Sequence, residues 1–201
     1  ILFKLPASCG CFRRHFRLKT YRTIMMFNIV DEIDNYQAFI QNSLKNLSDK
    51  QTIFLSAWCV NGLFSLPNTL TVIQQKLGIS DSKETIVDSI LQGNISSYQH
   101  KLQHLLDTMD EYAANYEEPE AHETYSLAGF NSALNSATDT ENLAYALEVI
   151  INLIDHYAQT EDDPVWERTL KEEFDAQHSI INDLLKNRPV TITSHHDFLI
   201  S

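Results

Sequence analysis

Leu143, Leu147, Ile150, Ile154 and Tyr157 recur at spacings of four, three, four and three. A period near 3.6 places these residues on one stripe of an α-helix, whereas a strand would need a period of two. Val149, Ile151 and Leu153 widen that stripe until most of the circumference is apolar, which suits a helix running through a core. Three-and-four spacing dominates the chain, and only five glycines and five prolines punctuate its 201 residues. The expected fold is therefore all-α: a single compact bundle of about eight helices with a short extended C-terminal tail.

Local signals predict where those helices start and stop. A first helix over residues 31–47 carries Ile33, Tyr36, Ile40, Leu44 and Leu47 on one face. Ser48 and Gln51 then form a capping-box pattern. The second helix runs from there to about residue 65, with Phe54, Ala57, Trp58 and Phe64 inward and Pro67 after its end. Gly78 and Gly93 stop short helices over 69–77 and 82–92. A fifth helix, over 95–115, presents Tyr98, Leu102, Leu105, Met109 and Tyr112, and a sixth covers 121–137. The seventh, over 139–159, contains the stripe described above. Asp163 is placed to cap the eighth, with Pro164 at its first position, where a missing N–H costs nothing, and Trp166, Leu170, Phe174, Ile181 and Leu184 facing inward. The tail VTITSHHDFLI is read as a short strand or an extended arm, and the chain shows no internal repeat.

Charge divides the chain unevenly. Residues 1–24 hold six of the 15 bases and no acid, so nine bases face all 27 acids downstream, a net charge of −18. The basic segment has its charges after its apolar residues, the reverse of a secretory signal, although its Arg-rich character also fits a mitochondrial presequence. Because Met25 and Met26 precede the first amphipathic segment, residues 1–24 are expected to be an extension outside the working domain, which would span 25–201. About 177 residues favour one domain, burying roughly 70% of its unfolded surface. Hydrophobic residues at 43% against 21% charged exclude intrinsic disorder. No apolar run suits a membrane span, and the lone downstream cysteine, Cys59, excludes a disulfide framework and suits the cytoplasm.

The segments LKNLSDKQTIFLSAWCVNGLFSLPN, YSLAGFNSALNSA and DDPVWERTLKEEFDAQHSIINDLL resemble the bacterial YjaG-like family, domain-of-unknown-function family 416. The resemblance covers about residues 39–188. It rests on dispersed positions: Leu47, Phe54, Ala57, Cys59, Pro67 and Asn68, then Tyr125, Ala133 and Leu134, then Pro164, Val165, Glu167, Gln177 and Leu185. The chain departs from the family where Asn61 and Gly62 stand in place of a Glu-Arg pair, and where SILQG lacks an expected tryptophan. Such a resemblance implies a compact helical fold and a bacterial cytoplasmic protein, and it brings no known activity.

The sharpest chemical pattern is HKLQHLLDTMDE, in which His100, His104, Asp107 and Glu111 fall on successive turns of one helical face. Two imidazoles beside two carboxylates are ligands for a transition metal. The row lies opposite Leu102, Leu105 and Met109, however, so it reads first as a solvated polar face, and a further ligand must come from another helix. His100, His104 and Asp107 are the candidate metal residues, while no catalytic or cofactor-binding set is predicted. A di-iron bundle is rejected because the chain lacks Glu-x-x-His. Cys59, beside Trp58 and Val60, reads as a small core residue with a raised pKa rather than a nucleophile paired with His156.

A helix-turn-helix around Gly78 is rejected because its first core position would be Glu84, and an acidic body repels phosphates. Nucleophile-elbow, phosphate-loop and dinucleotide motifs are missing from the sequence. Two function classes remain. The leading one is a cytoplasmic protein-binding or regulatory module, of immunity type for example, that engages a basic protein through acidic clusters at Glu117, Glu118, Glu120 and Glu123 and at Glu161, Asp162 and Asp163. It uses neither nucleic acid, membrane nor cofactor. The alternative is a metal-assisted hydrolase on the His100, His104 and Asp107 face.

Overall fold

A computed structural model describes residues 29–108, 120–137, 139–161 and 163–192. Eight α-helices follow one another among them: α1 (Ile29–Leu44), α2 (Asp49–Leu63), α3 (Thr69–Leu77), α4 (Lys83–Leu91), α5 (Ser96–Thr108), α6 (Ala121–Asn135), α7 (Thr140–Thr160) and α8 (Val165–Leu185). The described residues contain no strand. The all-α class and the number of helices agree with the sequence reading. The basic segment 1–24, Met109, Tyr112 and most of the tail lie outside the described residues.

Two helices form the centre. In α2 every residue from Leu55 to Leu63 is buried, including Ser56, Asn61 and Gly62. Burial all round explains why this helix lacks a one-sided apolar stripe. It packs against α4, α6, α7 and α8, and α7 also meets α1, α6 and α8. The full α7 stripe, Leu143, Leu147, Ile150, Ile154 and Tyr157, is buried. Phe54, expected inside, lies only half-buried on the flank of α2.

Gly129 sets the spacing of α6. A Cβ there would meet Val149 Cγ1 at 3.0 Å and Leu63 Cδ2 at 3.2 Å, so the missing side chain brings α6 close to both central helices.

The boundaries follow from local chemistry. Gln51 Oε1 accepts from the Ser48 N–H at 2.8 Å, as the capping pattern predicts, and its amide donates to Leu184 O at 2.5 Å. The start of α2 is thereby tied to the end of α8. Gly78 and Gly93 adopt left-handed conformations, with φ of 58° and 75°, at the ends of α3 and α4. Asn68 takes the same region ahead of α3, with φ of 62°, and Thr69 Oγ1 donates to Leu63 O at 2.6 Å to satisfy the end of α2. At α8, Asp163 Oδ1 accepts from the Val165 N–H at 2.9 Å, so Asp163 acts as the cap although the regular helix starts after Pro164.

Candidate functional site

His100 and His104 are exposed on successive turns of α5, as is Asp107, because Tyr98 and Leu102 on the opposite side enter the core. Asp107 is engaged laterally, its Oδ1 accepting from Gln103 Nε2 at 2.7 Å. Glu111 lies outside the described residues. Alongside the two histidines runs a groove of about 390 Å³ between α3 and α5, lined by Lys76, Leu77, His100, Lys101, His104, Leu105 and Thr108. Its other polar wall is cationic. Among the described residues no group of three His, Cys, Asp or Glu side chains is placed to hold a metal ion.

Both lysines are anchored. Lys76 Nζ meets Glu123 Oε2 of α6 at 3.0 Å, and Lys101 Nζ donates to Leu77 O at the end of α3, at 3.3 Å. These contacts place the two ammonium groups from opposite sides of the α3–α5 junction.

The predicted acidic clusters are only partly available as surface. Glu117, Glu118 and Asp162 lie outside the described residues. Glu120 is exposed beside His122 Nδ1, at 3.2 Å, whereas Glu123 is half-buried against Lys76. Glu161 Oε2 accepts from Trp166 Nε1 at 2.7 Å, and that indole stacks on Tyr157 with centroids 4.6 Å apart. Burial and the Glu161 carboxylate push the Tyr157 phenol up to about 12, while its hydroxyl donates to Pro67 O at 2.9 Å. Glu123, Glu161 and Asp163 therefore hold helices in place.

A second polar region went unpredicted. On α8 the buried face runs through Trp166, Thr169, Glu173, Gln177, Ile180, Ile181 and Leu184, while Leu170 and Phe174 stand half-buried beside it. The predicted face thus shifts by one position in the middle of the helix. The Tyr36 hydroxyl of α1 donates to Gln177 Oε1, and Gln177 Nε2 donates to Glu173 Oε1 at 2.6 Å and to Leu147 O at 3.1 Å. One amide thus connects α1, α7 and α8. Tyr36 meets Phe174 edge-on at 5.0 Å, and His178 stacks on Phe39 at 4.0 Å. The available signal was spacing: Thr169, Glu173 and Gln177 are four apart and in phase with Trp166 and Leu184.

This seam also explains Cys59. Burial and the Glu173 carboxylate push its thiol well up, as they do the Tyr36 phenol, keeping the sulfur in its unreactive thiol form. His156 stands elsewhere, between Tyr125 at 6.2 Å and Tyr157 at 6.0 Å. Glu84, the position that weighed against a helix-turn-helix, is exposed, and backbone and Ser82 hydrogen bonds hold its carboxyl below the usual range.

Among the described residues the fold and sites define a helical bundle with a sealed polar seam and an open groove that collects lysines and histidines. The chain matches no family model, no curated protein and no solved structure. No helix among the described residues is long and apolar enough to cross a membrane.

Proposed function

We propose that the protein is a cytoplasmic binding or regulatory module that engages a basic protein partner through its acidic surface. An immunity-type protein masking a basic toxin is one form of this activity. The observation that carries the reading is the allocation of charge. Lys76, Arg168 and Arg188 pair with Glu123, Glu172 and Asp183, and Lys83 and Lys101 reach Ser65 and the Leu77 carbonyl. Meanwhile Asp49, Asp88, Glu141, Glu167 and Asp175 are exposed. Internal contacts thus occupy most of the few cations and leave a surplus of negative charge facing water, the arrangement that steers a basic partner.

Kinship with the YjaG-like family belongs to the same proposal. Its support is that several resemblance positions carry the architecture here: Pro67 accepts from Tyr157, Asn68 takes the left-handed turn, and Gln177 joins three helices. Hydrolysis on a metal at His100, His104 and Asp107 draws no comparable support, since Lys76 and Lys101 share that groove.

Partners captured from a lysate of the source cell at low ionic strength provide the test. A partner held by charge should bind at least about tenfold more weakly once the screening length shortens to about 8 Å at physiological salt. Binding that is indifferent to salt would contradict the proposal.

A further inference from the structure

Lys76, His100, Lys101 and His104 line one groove in a chain where acids greatly outnumber bases, a local concentration of hydrogen-bond donors. Lysine has three N–H donors, and imidazole has at least one in either protonation state. Lys76 and Lys101 each commit a donor to an anchoring contact, with Glu123 and with Leu77 O, and keep others. The anchoring also removes two obstacles to an anion. Lys76 neutralises the nearby Glu123 carboxylate, and Lys101 covers the carbonyl at the negative end of α3. Asp107 on the same helix is held by Gln103 and does not line the groove.

We infer that this groove is a binding site for a small phosphate-bearing anion, recognised by Lys76, His100, Lys101 and His104. A cation would meet two fixed ammonium groups there, whereas a phosphate oxyanion would gain charge-assisted hydrogen bonds from them. A volume near 390 Å³ lies within the range of small-molecule sites and exceeds what inorganic phosphate alone occupies. Leu77 and Leu105 on the same walls offer apolar contact to the remainder of a phosphate monoester. The groove is lined by none of the exposed carboxylates Asp49, Asp88, Glu141, Glu167 and Asp175 of the acidic docking surface, so a ligand here is distinct from a basic partner there.

The test is calorimetric titration of the full chain with glycerol 3-phosphate, inorganic phosphate, glycerol and zinc chloride. Saturable binding of glycerol 3-phosphate is expected, with none of glycerol. Inorganic phosphate binding equally well would identify free phosphate as a sufficient ligand, and weaker phosphate would identify a monoester. The variant His100→Ala/His104→Ala, and separately Lys101→Gln, should each weaken binding by about tenfold. Circular dichroism would confirm that both variants are folded. Overturning results are no saturable binding of either phosphate by about 10 mM, affinity unchanged in both variants, or saturable zinc binding without phosphate binding.

Discussion

Two regions of this bundle gather polar side chains and use them in opposite ways. In the seam, Tyr36, Gln177 and Glu173 are sealed between α1, α7 and α8, and the hydrogen bonds of Gln177 all end on buried residues: Tyr36, Glu173 and Leu147. In the groove, Lys76, His100, Lys101 and His104 stand at the surface with donors still facing the open space. Burial makes the difference. A polar group taken from water must be bonded inside or it costs stability, so the seam defines how three helices register against one another. A polar group left in water contributes little to folding and keeps its capacity for a ligand.

The largest effect should come from breaking the seam. Gln177→Leu removes the acceptor of Tyr36 and the donor to Glu173 and Leu147, leaving several buried groups unsatisfied. Denaturant unfolding should show a loss of about 3–5 kcal/mol. A loss below about 1 kcal/mol would show that the seam relaxes without cost.

Next in size is the close approach at Gly129. Gly129→Val forces branched methyls against Val149 and Leu63 and should destabilise the bundle by about 1–3 kcal/mol, read from the thermal midpoint. An unchanged midpoint would mean α6 can move outward freely.

Tyr157→Phe should cost about 1 kcal/mol through the lost bond to Pro67, and it adds a pH signature. The folded phenol is raised from 10.0 to about 12, so its stabilising contribution is complete below 10 and is lost as pH rises toward 12. Alkaline unfolding of the variant should lack that slope. His178 acts at the other end of the scale. Burial lowers its pKa from 6.5, with Asp175 opposing, so the unfolded state takes up the proton first and stability declines as pH falls below 6.5. His178→Gln should flatten that part of the stability profile, and a profile with the same slope as wild type would remove His178 as its source.

These regions were unequally legible in the sequence. The α7 stripe, the Gly78 and Gly93 stops and the Asp163 cap each depend on residues close in the chain, and all were readable. So was the exposed His100 and His104 face, since it lies opposite Tyr98 and Leu102. Lys76 beside it was not, because it comes from another helix and only packing brings α3 against α5. The seam was hidden for a different reason. Periodicity counts apolar residues, and Thr169, Glu173 and Gln177 are polar although they occupy the buried face. Tyr36 donates to Gln177 from 141 residues away, a pairing no local pattern carries.

The smallest expected effect gives the most direct test of this division between architecture and binding. Urea unfolding should be measured on wild type and on His100→Ala/His104→Ala, each with and without glycerol 3-phosphate. Without ligand the two should agree within about 0.5 kcal/mol, as exposed positions do. With ligand at about 100 times its dissociation constant, wild type should gain about 2.7 kcal/mol while the variant gains much less. A variant already weaker by more than about 2 kcal/mol without ligand would make the histidines part of the architecture, and equal stabilisation of both proteins, or of neither, would contradict the groove as the binding site.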